Sequence, residues 1–130
     1  MPSDVADMTD TIVSFADPLL AMVPPTNAEE LERLFDRVID IWNMWVASAP
    51  PWNDSRGLDE ARAAMEKGEM SDAEIHIHRI LAERWVTAFR SDGRLVINHA
   101  VTIEDGVPTF RCVGCEATTD LLDAFRGLEN

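Results

Sequence analysis

Residues 85–115, WVTAFRSDGRLVINHAVTIEDGVPTFRCVGC, decide how the chain folds. Two Asp-Gly dipeptides, Asp92-Gly93 and Asp105-Gly106, supply the positive φ that tight hairpins need, and they divide three runs of β-forming residues. The middle run alternates. It sends Leu95, Ile97, His99, Val101 and Ile103 to one face and Val96, Asn98, Ala100 and Thr102 to the other. Pro108 has no N–H to give a ladder, so the third run, Val107 to Cys112, is expected on an edge. With Trp85–Phe89 read as the first strand, the stretch forms a three-stranded antiparallel meander.

Helical periodicity takes over upstream. Val5, Met8, Ile12 and Phe15 form the apolar stripe of an amphipathic helix over 4–16, flanked by Asp4, Asp7 and Asp10. Pro18 is expected to interrupt it and Pro24-Pro25 to close the segment. The best helix runs from about Ala28 to Ser48, capped by Thr26 or Asn27, with Glu29 or Glu30 completing a capping box. Its apolar stripe includes Phe35, Trp42 and Trp45, while Asp36 and Asp40 fall on the wet side. A shorter helix covers Leu58 to Lys67, ended by Gly68. Ser71 and Glu74 cap another that reaches about Glu83, although Ile75, His76, Ile77 and His78 also alternate as a strand would. A last short helix, about Thr119 to Arg126, turns Leu121, Leu122 and Phe125 inward. About four helices followed by a meander and a C-terminal helix make an α+β domain. One domain spans 1–130, with 1–25 a semi-detached N-terminal amphipathic helix.

Composition limits what such a domain binds. The net charge is −13, and residues 1–70 hold fourteen acids against five bases, whereas 71–130 hold ten against six. That balance repels nucleic-acid phosphates and anionic membranes, and it suits solubility or a basic protein partner. The longest apolar run falls short of the roughly 20 residues of a membrane span. Positive charge first appears at Arg33, so a cytoplasmic location is expected.

Cys112-Val113-Gly114-Cys115 is the sharpest local feature. Two cysteines three positions apart chelate a metal from a tight knuckle or close a redox-active disulfide, and a zinc site here draws further ligands from His76, His78 and His99. On a helix, however, His76 and His78 point about 200° apart, so that ligand set requires a strand. Glu116 beside Cys115 disfavours its thiolate, and packed, reduced cysteines are the plainer expectation. His99 on an apolar face reads as a buried histidine satisfied by one hydrogen bond. Trp42, Trp45 and Trp85 lie on periodic apolar runs and read as core, whereas Trp52 sits in a Pro-Pro-Trp-Asn-Asp loop outside any pattern. Phosphate-binding glycine loops, zinc-protease helices and nucleophile elbows do not occur.

These features favour a non-enzymatic protein-binding module of adaptor, inhibitor or immunity-like type, without a cofactor. Trp52 and the acids Asp4, Asp7 and Asp10 are its candidate partner-binding residues, and a second copy is a candidate for the uncovered sheet face. The alternative is a small zinc-binding or thiol-redox protein built on Cys112 and Cys115.

Overall fold

A computed structural model describes residues 5–129, with side chains through 124. In chain order the elements are β1 (Ala6–Asp7), α1 (Thr9–Met22), α2 (Ala28–Ser48), α3 (Arg56–Glu66), α4 (Asp72–Arg84), a π-helical turn (Trp85–Phe89), β2 (Arg94–Glu104), β3 (Val107–Glu116) and α5 (Thr119–Glu129). The protein is α+β, with helices packed on a three-stranded antiparallel sheet of order β1-β3-β2.

The hairpin forms as its turn chemistry predicts. Asp105 and Gly106 both take positive φ, 52° and 77°, which joins β2 to β3 with the twist of the strands. Strict alternation along β2 fails in one place, because the register shifts between Val96 and Asn98. The extra residue reverses the pleat, so Val96 is buried and Ile97 is exposed. Past the bulge His99 lies opposite Cys112, Val101 opposite Phe110 and Ile103 opposite Pro108.

The third strand comes from an unexpected place. Trp85–Phe89 is not a strand but a π-helical continuation of α4. Leu81, Trp85 and Phe89 recur every four residues, a spacing that drifts around an ordinary helix, and a wider turn rotates the last of them back toward the core. Trp85 then meets Trp42 edge-on at 5.0 Å and Phe89 meets Phe15 at 5.5 Å. The missing strand is supplied by Ala6–Asp7, which pair with Gly114 and Val113. Helix α1 therefore starts at Thr9 rather than near residue 4, with Asp7 Oδ1 accepting the Thr9 N–H at 2.8 Å. Gly114 is required at this junction: a Cβ there would lie 2.2 Å from both the Leu95 carbonyl oxygen and Met8 Sδ.

Pro18 does not interrupt α1, which runs through it. Proline deprives the Ser14 carbonyl, one turn back, of its donor. Arg84, at the end of α4, donates Nη2 to that oxygen and lays its guanidinium over Phe89, 5.3 Å from the ring centroid. Ile12, Phe15, Ala16 and Leu19 consequently remain in the core through the full length of α1.

Helix α2 organises the interior. Asn27 caps it by accepting the Glu30 N–H at 2.9 Å, and Glu30 reaches back to the Thr26 N–H at 3.0 Å. Phe35 stacks on Phe110 of β3 at 3.8 Å, and Trp42 sits among Phe15, Trp85 and Phe89. Residues 75–83 are helical: Ser71 accepts the Glu74 N–H and α4 runs without a break to Arg84.

Candidate functional site

Four helices and the start of β2 enclose a cleft of about 540 Å³, within the size range of small-ligand pockets. Its floor is apolar, from Met44 and Ala47 of α2, Leu95 of β2 and Leu122 of α5. The rest of its lining is polar: Asp40 and Asn43 from α2, Asp54 just before α3 and Arg56 at its start, Glu60 one turn on, and His78 from α4.

The six polar groups are not equivalent. Arg56 grips Asp54 with Nε and Nη2, at 3.1 and 3.0 Å, so those two charges neutralise each other. Asn43 is turned toward the sheet, donating Nδ2 to the Val96 carbonyl at 3.1 Å and accepting the Val96 N–H at 2.9 Å. In this way it replaces a strand on the open edge of β2. Trp42 Nε1 does the same for the Arg94 carbonyl at 2.8 Å.

Asp40 and His78 share a different condition. Asp40 is exposed, as expected of the wet side of α2, and it lines the cleft. The side chain stays exposed, and the cleft walls remove only part of its surrounding water. Desolvation therefore pushes its pKa up, against the pull of Arg37, with Asp36 adding repulsion. Burial pushes His78 down and favours the neutral ring, opposed by Glu74. Arg37 is held by Glu74 at 2.9 Å. Neither Asp40, His78 nor Glu60 forms a hydrogen bond or ion pair among the described residues. Asp36 is exposed, as expected of the wet side of α2, and its Oδ1 lies 2.7 Å from His99 Nε2. His99 is accordingly half-buried rather than fully buried, and it is satisfied by this one hydrogen bond, as expected.

The cysteine pair is placed inside β3, which extends to Glu116 instead of ending at Cys112. Residues three apart in a strand point to opposite faces, so Cys112 and Cys115 do not form a knuckle. Cys112 is buried under α1, and burial pushes its thiol up to about 11; both thiols are free. His76 and His78 diverge on α4, with His76 exposed and His78 in the cleft, and His99 is engaged by Asp36. The proposed ligand set is therefore not brought together, and no group of three metal-binding side chains is present among the described residues.

The candidate interface residues are scattered too. Trp52 is half-buried and packs against the core, its backbone N–H donating to the Ala49 carbonyl. Asp7 accepts the Thr9 N–H at the start of α1, and Asp10 lies exposed on the first turn of that helix. Asp4 is outside the described residues.

Sequence reasoning missed Asn43, Asp40 and Glu60. Asn43 did leave a signal, as a lone polar residue in the apolar run Ile41–Ala47. Glu60 left none, because only the docking of α3 on α2 brings it to the cleft. Comparison with protein-family models, curated proteins and solved structures finds no match. No helix among the described residues is long and apolar enough to cross a membrane.

Proposed function

We propose that the protein is a non-enzymatic binding module that holds a basic partner protein, and that the cleft receives a lysine or arginine side chain of that partner. The observation that carries this reading is the unbalanced charge of the cleft. Asp54 is neutralised by Arg56, whereas Asp40 and Glu60 line the cleft without a hydrogen bond or ion pair among the described residues, the nearby Arg37 being held by Glu74. Keeping Asp40 ionised in a partly desolvated site costs the free protein stability, and an incoming cation offsets that cost. The apolar floor of Met44, Ala47, Leu95 and Leu122 suits the methylene stem of a long basic side chain. The net charge of −13 draws such a partner in from a distance.

The test is a nuclear magnetic resonance titration with a lysine- and arginine-rich peptide. Amide shifts should concentrate on residues 40–47, 56–61 and 78, weaken with added salt, and disappear in Asp40→Asn combined with Glu60→Gln. Shifts spread over the acidic surface, or unchanged in that double variant, would show that the cleft is not the receptor.

A further inference from the structure

The two sides of the β2–β3 hairpin are treated differently: β3 is the central strand rather than the edge expected from Pro108, but β1 covers only its last residues. On the outer side of β3, Ala6 and Asp7 pair with Gly114 and Val113, Met8 N–H donates to the Cys112 carbonyl, and Thr9 Oγ1 accepts the Cys112 N–H. These bonds fix the phase of the strand. Because the Cys112 groups point away from β2, so do those of Phe110 and Pro108, two and four residues back. Pro108 thus places its missing N–H where an intruding strand would look for a donor. Arg111 adds a charge beside it, paired with Glu104 at 3.0 Å. Short pairing, proline and charge are the usual means of closing an edge.

On β2 only the first half is closed. Trp42 takes the Arg94 carbonyl, Asn43 takes both groups of Val96, and the bulge follows. Beyond it His99, Val101 and Ile103 lie opposite Cys112, Phe110 and Pro108, so their N–H and C=O groups point outward. No described group bonds them. From Leu95 to Ile103 there is no acid, lysine, arginine or proline, and Ile103 is 60% exposed.

We infer that the second half of β2 is a self-association edge, where a second copy of this chain adds its own β2 antiparallel about Val101. Charge selects this occupant. A chain of net charge −13 repels its copy along most contacts, whereas here the acids that flank the edge are already engaged, Glu104 by Arg111 and Asp36 by His99, which also leaves a basic partner little to gain. The register is self-complementary. Val101 meets its counterpart, Ile103 of one copy covers His99 of the other, Glu104 reaches Asn98, and Ala100 lies opposite Thr102. Two three-stranded sheets become one of six strands. The contact is a strand edge without a broad face, at the low end of interface sizes, so the dimer is weak and concentration-dependent.

Sedimentation equilibrium from roughly 10 μM to roughly 1 mM spans the dissociation constants of such small interfaces. The weight-average mass of the native chain should rise toward the dimer across this range. Ala100 and Thr102 are exposed, so substituting them spares the fold, which unchanged urea midpoints verify. Ala100→Lys with Thr102→Lys sets ammonium groups opposite each other twice and should weaken dimerisation about tenfold. Ala100→Glu with Thr102→Lys sets opposite charges there and should dimerise at least as well as the native chain. A native chain that stays monomeric to the highest concentration overturns the inference. So does a dimer indifferent to which pair of charges is introduced.

Discussion

Arg84 substitutes for the hydrogen bond that Pro18 cannot make, and this can be measured as a coupling. In the native chain, Arg84→Met leaves the Ser14 carbonyl without its donor and removes a guanidinium from the face of Phe89. A hydrogen bond from a charged donor is worth about 1.5–3 kcal/mol, and the cation–π contact about 0.5–1 kcal/mol. Methionine keeps most of the apolar stem. Arg84 Nε is itself buried without a partner, so its removal recovers part of the loss. The net expectation is a destabilisation of about 2 kcal/mol, which for a domain of this size lowers the urea midpoint by roughly 1 M. Pro18→Ala restores the N–H that an uninterrupted helix directs at Ser14. In that background Arg84→Met should cost about 1 kcal/mol or less, because only the contact with Phe89 is lost. Urea unfolding of the four proteins, followed by tryptophan fluorescence, gives the cycle directly. An equal cost in both backgrounds would refute the idea that Arg84 serves the proline-vacated carbonyl.

Other consequences are open to simpler assays. Asn43→Leu strands both backbone groups of Val96 and should cost about 1–3 kcal/mol, with faster hydrogen exchange at the Val96 amide; unaltered exchange would contradict its role as a strand substitute. Gly114→Ala drives a Cβ into the Leu95 carbonyl, and the resulting overpacking should cost about 1–3 kcal/mol or more by urea unfolding, with a native-like midpoint counting against the close approach. At pH 8 a disulfide reagent should modify Cys115 much faster than Cys112, whose thiol is held near 11, and equal rates would mean that Cys112 is not buried. Since the folded state holds the Cys112 proton more tightly, that contribution is complete below the ordinary thiol pKa and declines as pH rises through about 11, a loss that Cys112→Ala should abolish. Asp40→Asn should stabilise the free protein at neutral pH while weakening capture of a basic peptide; weaker stability together with unchanged capture would remove Asp40 from the site.

What the sequence made legible was local. The Ala28–Ser48 helix, its Asn27 cap, the Gly68 ending and the Asp105-Gly106 hairpin each depend on a few neighbouring residues, and each stands in the structure. Misreadings arose where distant residues compensate for a local signal. Pro18 normally stops a helix, but Arg84, 66 positions away in the chain, makes up its missing bond. Trp85–Phe89 has strand-like composition, yet Phe15 and Trp42 offer it a packing surface that a π turn reaches. The two-residue strand at Ala6–Asp7 is too short to leave a period. The cleft was invisible for the same reason, since its wall is assembled from α2, α3 and α4 and none of the three carries a motif.

One helix ties these features together. The amino-terminal half of α2 anchors the hairpin through Phe35 on Phe110 and Asp36 on His99, while its carboxyl-terminal half closes the β2 edge through Trp42 and Asn43. Asp40 lies between the two halves, one turn from Asp36 and one from Asn43. Helix propensity does not require an acid there, and desolvation argues against one. An alanine at that position would satisfy the helix and remove a partly desolvated charge. That is why the proposed binding role turns on Asp40: it is the acid on α2 that lines the cleft, and its carboxylate makes no hydrogen bond or ion pair among the described residues.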